Sequence, residues 1–193
     1  MLRLLRGFLL HGFYILVALL MAAGIAVAQL PQSPTIGDIY DVAGGYPAST
    51  GYVQNSGLPA SGIHLEGANA VATDAAGNLY FADSDGMHHS LIELVYNGGA
   101  IPGLLSAVTS SPKKGYNYVV AGIDGPSTLC KSAFFPCGNG GPAAQANLGY
   151  AEGLFVDSKG NVYIADTADN AVRKVDATTG RITLVAGVMA AGT

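Results

Sequence analysis

The stretch GNVYIADTADNAVRKVD, residues 160–176, holds two short apolar runs, each followed by an acidic, polar turn. Val162–Ala165 alternates, placing Val162 and Ile164 on one face and Tyr163 and Ala165 on the other, the period of a half-buried strand. Asp157–Asn161 before it is a turn, in which Gly160 can take a positive φ. Asp166–Asn170 after it is a second turn. Ala171–Val175 is a third strand, weakly patterned because Arg173-Lys174 interrupt it. With Gly153–Val156 in front, DATTG (176–180) as a further turn and ITLVAG (182–187) behind, the segment predicts a four-stranded antiparallel meander.

The unit has a copy. Shifted by 83 residues, Gly57–Ser84 lies over Gly140–Thr167 without a gap and with 11 identities in 28 positions. These include Pro59/Pro142, Leu65/Leu148, Asp74/Asp157, Gly77/Gly160, Asn78/Asn161, Tyr80/Tyr163 and Asp83/Asp166. Low-complexity similarity would favour Ala and Gly alone, so the match marks a structural repeat. A Val-Ala-Gly ending recurs at Val42–Gly44, Val120–Gly122 and Val185–Gly187, and the first two are followed by Gly/Pro-rich connectors. The third strand of the first copy falls at Leu91–Tyr96, and a Gly-, Pro- and Ser-rich insertion at 97–118 separates it from the fourth.

At this point the residues resemble a known family. AEGLFVDSKGNVYIADTADNAVRKVDATTGRITLVAG (151–187) is similar to an NHL repeat, and GNGGPAAQANL (138–148) is similar to the connector between such repeats in secreted bacterial proteins. The resemblance lapses between 85 and 118. It implies an all-β fold of four-stranded blades from an NHL-type β-propeller, incomplete at about two blades. It also implies a binding platform, with a minority of related propellers being lactonase- or lyase-like enzymes that carry a metal in the central channel. The expected organisation is a connector with the last strand of a preceding blade at 29–56, then a first blade at 57–122. A Gly/Pro-rich connector follows at 123–152, a second blade at 153–187, and the start of a further connector at 188–193. Repeat folds need roughly three units for stability. Two and a fraction suggest a truncated chain or gene fragment, or copies that self-associate through open blade edges to complete a ring.

Residues 1–28 precede all this. Arg3 and Arg6 open a hydrophobic, helix-forming segment that is uncharged from Phe13 and ends Ala26-Val27-Ala28, a small-x-small pattern suited to signal peptidase. A membrane anchor over residues 8–28 is the alternative, since about 20 apolar residues span a bilayer. Either way the remainder is expected to be exported, to the periplasm or beyond. The segment carries two of the nine basic residues and none of the thirteen acids, so without it seven bases face thirteen acids, a formal charge of −6. That balance argues against a nucleic-acid partner.

Candidate chemistry is sparse. Cys130 and Cys137 are the two cysteines; in an exported connector a disulfide closing a small loop is the natural reading, with free thiols the runner-up. His88-His89 are neighbours, and on one strand they would point to opposite faces, which does not suit a shared metal. Asp166, Asp169 and Asn170 could offer oxygen ligands to Ca²⁺, but turns use Asp and Asn for their own hydrogen bonds. GNGGPA (138–143) fits a dinucleotide pattern formally, without a preceding strand and with Pro142 inside it. Lys113-Lys114 read as solvated surface. No cofactor, metal site or catalytic residue is assigned. The sequence therefore favours an exported binding or scaffold module for a protein or carbohydrate partner, with the 97–118 insertion as the partner-specific surface. A fragment of a propeller enzyme is the alternative.

Overall fold

A computed structural model describes residues 41–45, 56–84, 90–98, 102–123 and 137–187. The hydrophobic segment 1–28, His88-His89 and Cys130 lie outside them. The described chain is all-β, with nine strands in two antiparallel sheets and little helix. The strands are β1 (Leu58–Pro59), β2 (Ala68–Thr73), β3 (Leu79–Ser84), β4 (Ser90–Val95), β5 (Tyr116–Ala121), β6 (Ala151–Val156), β7 (Val162–Asp166), β8 (Ala171–Val175) and β9 (Ile182–Gly187). The first sheet runs β1-β5-β4-β3-β2 and the second β6-β7-β8-β9. The third strand of the first copy thus begins at Ser90 rather than Leu91, and the second sheet begins at Ala151 rather than Gly153.

The first sheet has five strands where the sequence predicts four. The extra one comes from the connector: Leu58 lies opposite Asn117 and Pro59 opposite Tyr116, on the outer edge of β5. Pro59 has no amide hydrogen, which suits an edge position. Its counterpart Pro142 makes a single bridge to Arg181 on the outer edge of the second sheet.

The first hairpins of the two sheets repeat the same hydrogen bonds. In each first hairpin one aspartate organises the turn. Asp74 Oδ1 accepts the amides of Ala76 and Asn78, and Oδ2 accepts Asn78 Nδ2 and the Tyr80 hydroxyl. Asp157 does the same with Lys159, Asn161 and Tyr163. The asparagine then reaches the opposite hairpin, Asn78 Oδ1 accepting the Asn97 amide and Asn161 Oδ1 the Ala177 amide, at 2.8 and 2.9 Å. The Val-Ala-Gly glycines share one backbone state, with φ of 93° at Gly44, 94° at Gly122 and 91° at Gly187. Only glycine occupies that region without strain. The amides of Gly44 and Gly122 donate to the Ala60 and Ala143 carbonyls, so each strand ending is tied to the connector after it.

The sheets stack through β2 and β3 against β6. One buried cluster spans both: Tyr80, Ala82, Ile92 and Leu94 of the first sheet pack with Val162, Ile164, Val175 and Ile182 of the second, and with Ala146 and Leu148 of the connector. A smaller cluster, Ala60, Ile63, Phe81 and Val95, lies on the far side of the first sheet. Across the stack, the Ser90 hydroxyl accepts the Ala151 amide and donates to Ser84. Among the described residues no helix is long and apolar enough to cross a membrane.

Candidate functional site

The polar feature sequence reading passes over is Arg173. It stands on the inward face of β8 with Ala171 and Val175, and its side chain is fully buried. Its guanidinium donates to the Asn147 carbonyl at 2.6 Å, the Cys137 carbonyl at 2.8 Å, Asn139 Oδ1 at 3.1 Å and Asp166 Oδ2 at 3.4 Å. The planar fork of arginine allows one side chain to hold four acceptors. Arg173 therefore clips the connector, at Cys137, Asn139 and Asn147, onto the second sheet. Strict alternation along Ala171–Val175 would have pointed it inward; its charge argued the other way.

Asp166 sits under this clip. Its Oδ1 accepts the Gly149 amide at 2.7 Å, and buried Asp169 lies nearby. Burial, reinforced by the Asp169 charge and only partly offset by Arg173, pushes the Asp166 carboxyl up to about 6. Burial likewise pulls Arg173 below its ordinary value, against the support of Asp166 and Asp169. Desolvation outweighs attraction in this pair, as expected for buried ions. The first-sheet counterpart, Asp83, accepts the Gly67 amide at 2.8 Å and is also raised, chiefly by burial. His64 and Glu66, 3.4 Å apart, are close enough to influence it. Where the second sheet has Arg173, register places Glu93 in the first, fully buried with Asn117 Nδ2 donating to it at 2.9 Å.

Of the residues suggested as Ca²⁺ ligands, Asp166 holds Gly149 and Arg173, Asp169 is buried, and Asn170 ends a short 3₁₀ turn in the left-handed conformation at φ 51°. Among the described residues no group of three His, Cys, Asp or Glu could hold a metal ion. GNGGPA forms a turn, an edge bridge at Pro142 and a 3₁₀ turn from Ala143, not a strand–loop–helix cradle. Cys137 is buried and is not a free thiol; the sequence's proposed partner, Cys130, lies outside the described residues.

The insertion is only partly available as a surface. It contains a one-turn helix, α1 (Gly103–Ser106), whose Leu104 and Leu105 are buried in the cluster shared by the two sheets. Gly103 approaches the Ala177 carbonyl so closely that a Cβ there would lie 1.9 Å from it. The helix is therefore a plug against the 176–180 turn. Beyond exposed Ser106 and Ala107, its longest exposed stretch is Ser110–Gly115, with half-buried Pro112, where Lys113 Nζ lies 5.1 Å from the Tyr116 ring centroid. Compared with protein-family models and with curated proteins, the chain matches none.

Proposed function

We propose that the chain is an exported binding or scaffold module built from two adjoining blades of an NHL-type β-propeller. The observation that carries this reading is the repetition of a four-stranded meander, at an 83-residue offset over its first two strands, from the Asp74/Asp157 hubs to the shared glycine conformation. Radial repetition of such meanders is what a propeller requires. Asp74, Asp157 and Asp176 are engaged in turns and Asp166 in the Arg173 clip, which favours binding over catalysis. We further propose export by way of residues 1–28 and a Cys130–Cys137 bridge, restraining the connector that Arg173 fastens at the Cys137 carbonyl.

The exposed Ser110–Gly115 segment, with two adjacent lysines on an otherwise acidic chain, is the proposed contact for a protein partner. The test is cross-linking of the exported protein in its host, then calorimetric titration with the partner recovered. Binding that is retained by wild type and lost in Lys113→Glu/Lys114→Glu supports the reading. Turnover of an ester, lactone or peptide substrate by the purified chain, with no partner bound, overturns it.

A further inference from the structure

The dipeptide Asn-Gly occurs twice in the chain, at 97–98 and at 139–140. Both glycines have a positive φ, 94° at Gly98 and 79° at Gly140. The chemistry latent in the two pairs is the same. The glycine amide nitrogen attacks the asparagine Cγ, and no side chain on the following residue hinders the approach. The new N–Cγ bond closes a succinimide ring. The amide proton passes to solvent base, the Cγ–Nδ2 bond breaks, and the side-chain nitrogen leaves as ammonia. Water then opens the ring at either carbonyl, giving aspartate or isoaspartate. The reaction needs a glycine amide free of other acceptors and a carboxamide free to turn toward it.

The fold treats the two pairs differently. Asn139 is half-buried. Its Oδ1 accepts from Arg173 Nη2 at 3.1 Å, and the Gly140 amide donates to the Ile182 carbonyl at 2.7 Å. Electrophile and nucleophile are therefore both tied to the second sheet. Asn97 is exposed, just beyond the end of β4. Its side chain makes one exposed bond, from Nδ2 to the Ala76 carbonyl at 3.2 Å. Among the described residues no acceptor takes the Gly98 amide. Asn78 Oδ1 holds the Asn97 main-chain amide at 2.8 Å, a bond that involves neither reacting group.

We propose that Asn97-Gly98 is a site of spontaneous covalent self-modification in the folded chain, and that the Arg173 clip and the Ile182 carbonyl protect Asn139-Gly140 from the same reaction. Conversion at Asn139 requires both of its hydrogen bonds to open first, one of them to a guanidinium. At the usual strength of such bonds the protected pair should react roughly 30-fold more slowly. At Asn97 either product replaces the Nδ2 donor by a carboxylate facing the Ala76 carbonyl. Isoaspartate also lengthens the main chain beside the Asn78 contact.

Peptide mapping by mass spectrometry tests this on the purified chain held at mildly alkaline pH. In native buffer the peptide containing Asn97 should gain aspartate and isoaspartate forms steadily, and the peptide containing Asn139 should lag it roughly 30-fold. In concentrated urea the two peptides should convert at similar rates, because the protection belongs to the fold and not to the dipeptide. An Asn97 that stays intact in the folded chain overturns the proposal. So does an Asn139 that converts as fast as Asn97 in native buffer, or a lag at Asn139 that persists undiminished in urea.

Discussion

Asp166 shows how a single residue can be misplaced by composition and placed by its surroundings. Its position in an acidic turn suggested solvent or a cation; the fold buries it under Arg173 and against the Gly149 amide. In the folded protein it titrates at about 6, above its ordinary 3.8. Between those values the folded chain keeps a proton that the unfolded chain has released. The contribution of Asp166 to stability is therefore fully present below about pH 4, declines as pH rises to about 6, and is lost above. The gap corresponds to about 3 kcal/mol at most. Asp83, raised by burial, tilts stability in the same sense. Asp157 and Asp176, whose carboxyls are held low chiefly by hydrogen bonds from Asn161 and Thr179, act oppositely as pH falls. Asp166→Asn removes one titration only, so the wild-type-minus-variant difference in urea-unfolding free energy should follow the decline between about pH 4 and 6. A flat difference would show that Asp166 does not titrate in that window.

The elements were legible where alternation is unbroken and turns carry Asp, Gly and Asn. Val162–Ala165 and Ile182–Gly187 fall within a residue of the observed strands. Two elements were not legible, for physical reasons. β1 is two residues long and exists because its partner strand, 57 residues away, offers an edge; nothing local encodes it. α1 is a single turn with no side-chain cap, in a Gly/Pro-rich loop, and forms because Leu104 and Leu105 find the gap between the sheets. The asparagines Asn78 and Asn161 were visible as turn residues, but their span to the second hairpin was not, since that contact depends on how the strands are paired. Each is buried, donates to the aspartate hub and accepts the opposite turn's amide. Asn78→Ala should cost about 1–3 kcal/mol for the partners it strands. Asn78→Asp should be no better, because it loses the donor and faces Asp74 with a second carboxylate. Urea unfolding of both variants measures this; an Asp variant as stable as wild type would mean that the Asn78–Asp74 hydrogen bond contributes nothing.

At the scale of the whole molecule, the sequence foretold two similar sheets and left open what joins them. It assigned the 97–118 insertion to the outside, because Gly, Pro and Ser usually mark solvent loops. The fold instead drives its two leucines into the cluster that both sheets share, and lays Gly103 against the 176–180 turn of the second sheet. The insertion leaves one sheet and seals the base of the other, so neither sheet completes its core alone. Cooperative unfolding follows: the sheets should melt in one transition rather than two. Leu105→Ala tests the coupling at a point belonging to neither meander. It deletes a fully buried side chain, at a cost of about 2–5 kcal/mol. Native-state amide exchange should record that loss as the same drop in protection for β3 and β4 as for β7 and β8. Val71→Ala is the contrast, since its exposed side chain lies outside both buried clusters and should leave protection nearly unchanged. If Leu105→Ala loosened β3 and β4 while β7 and β8 kept full protection, the sheets would be independent units, and the shared cluster would be contact without coupling.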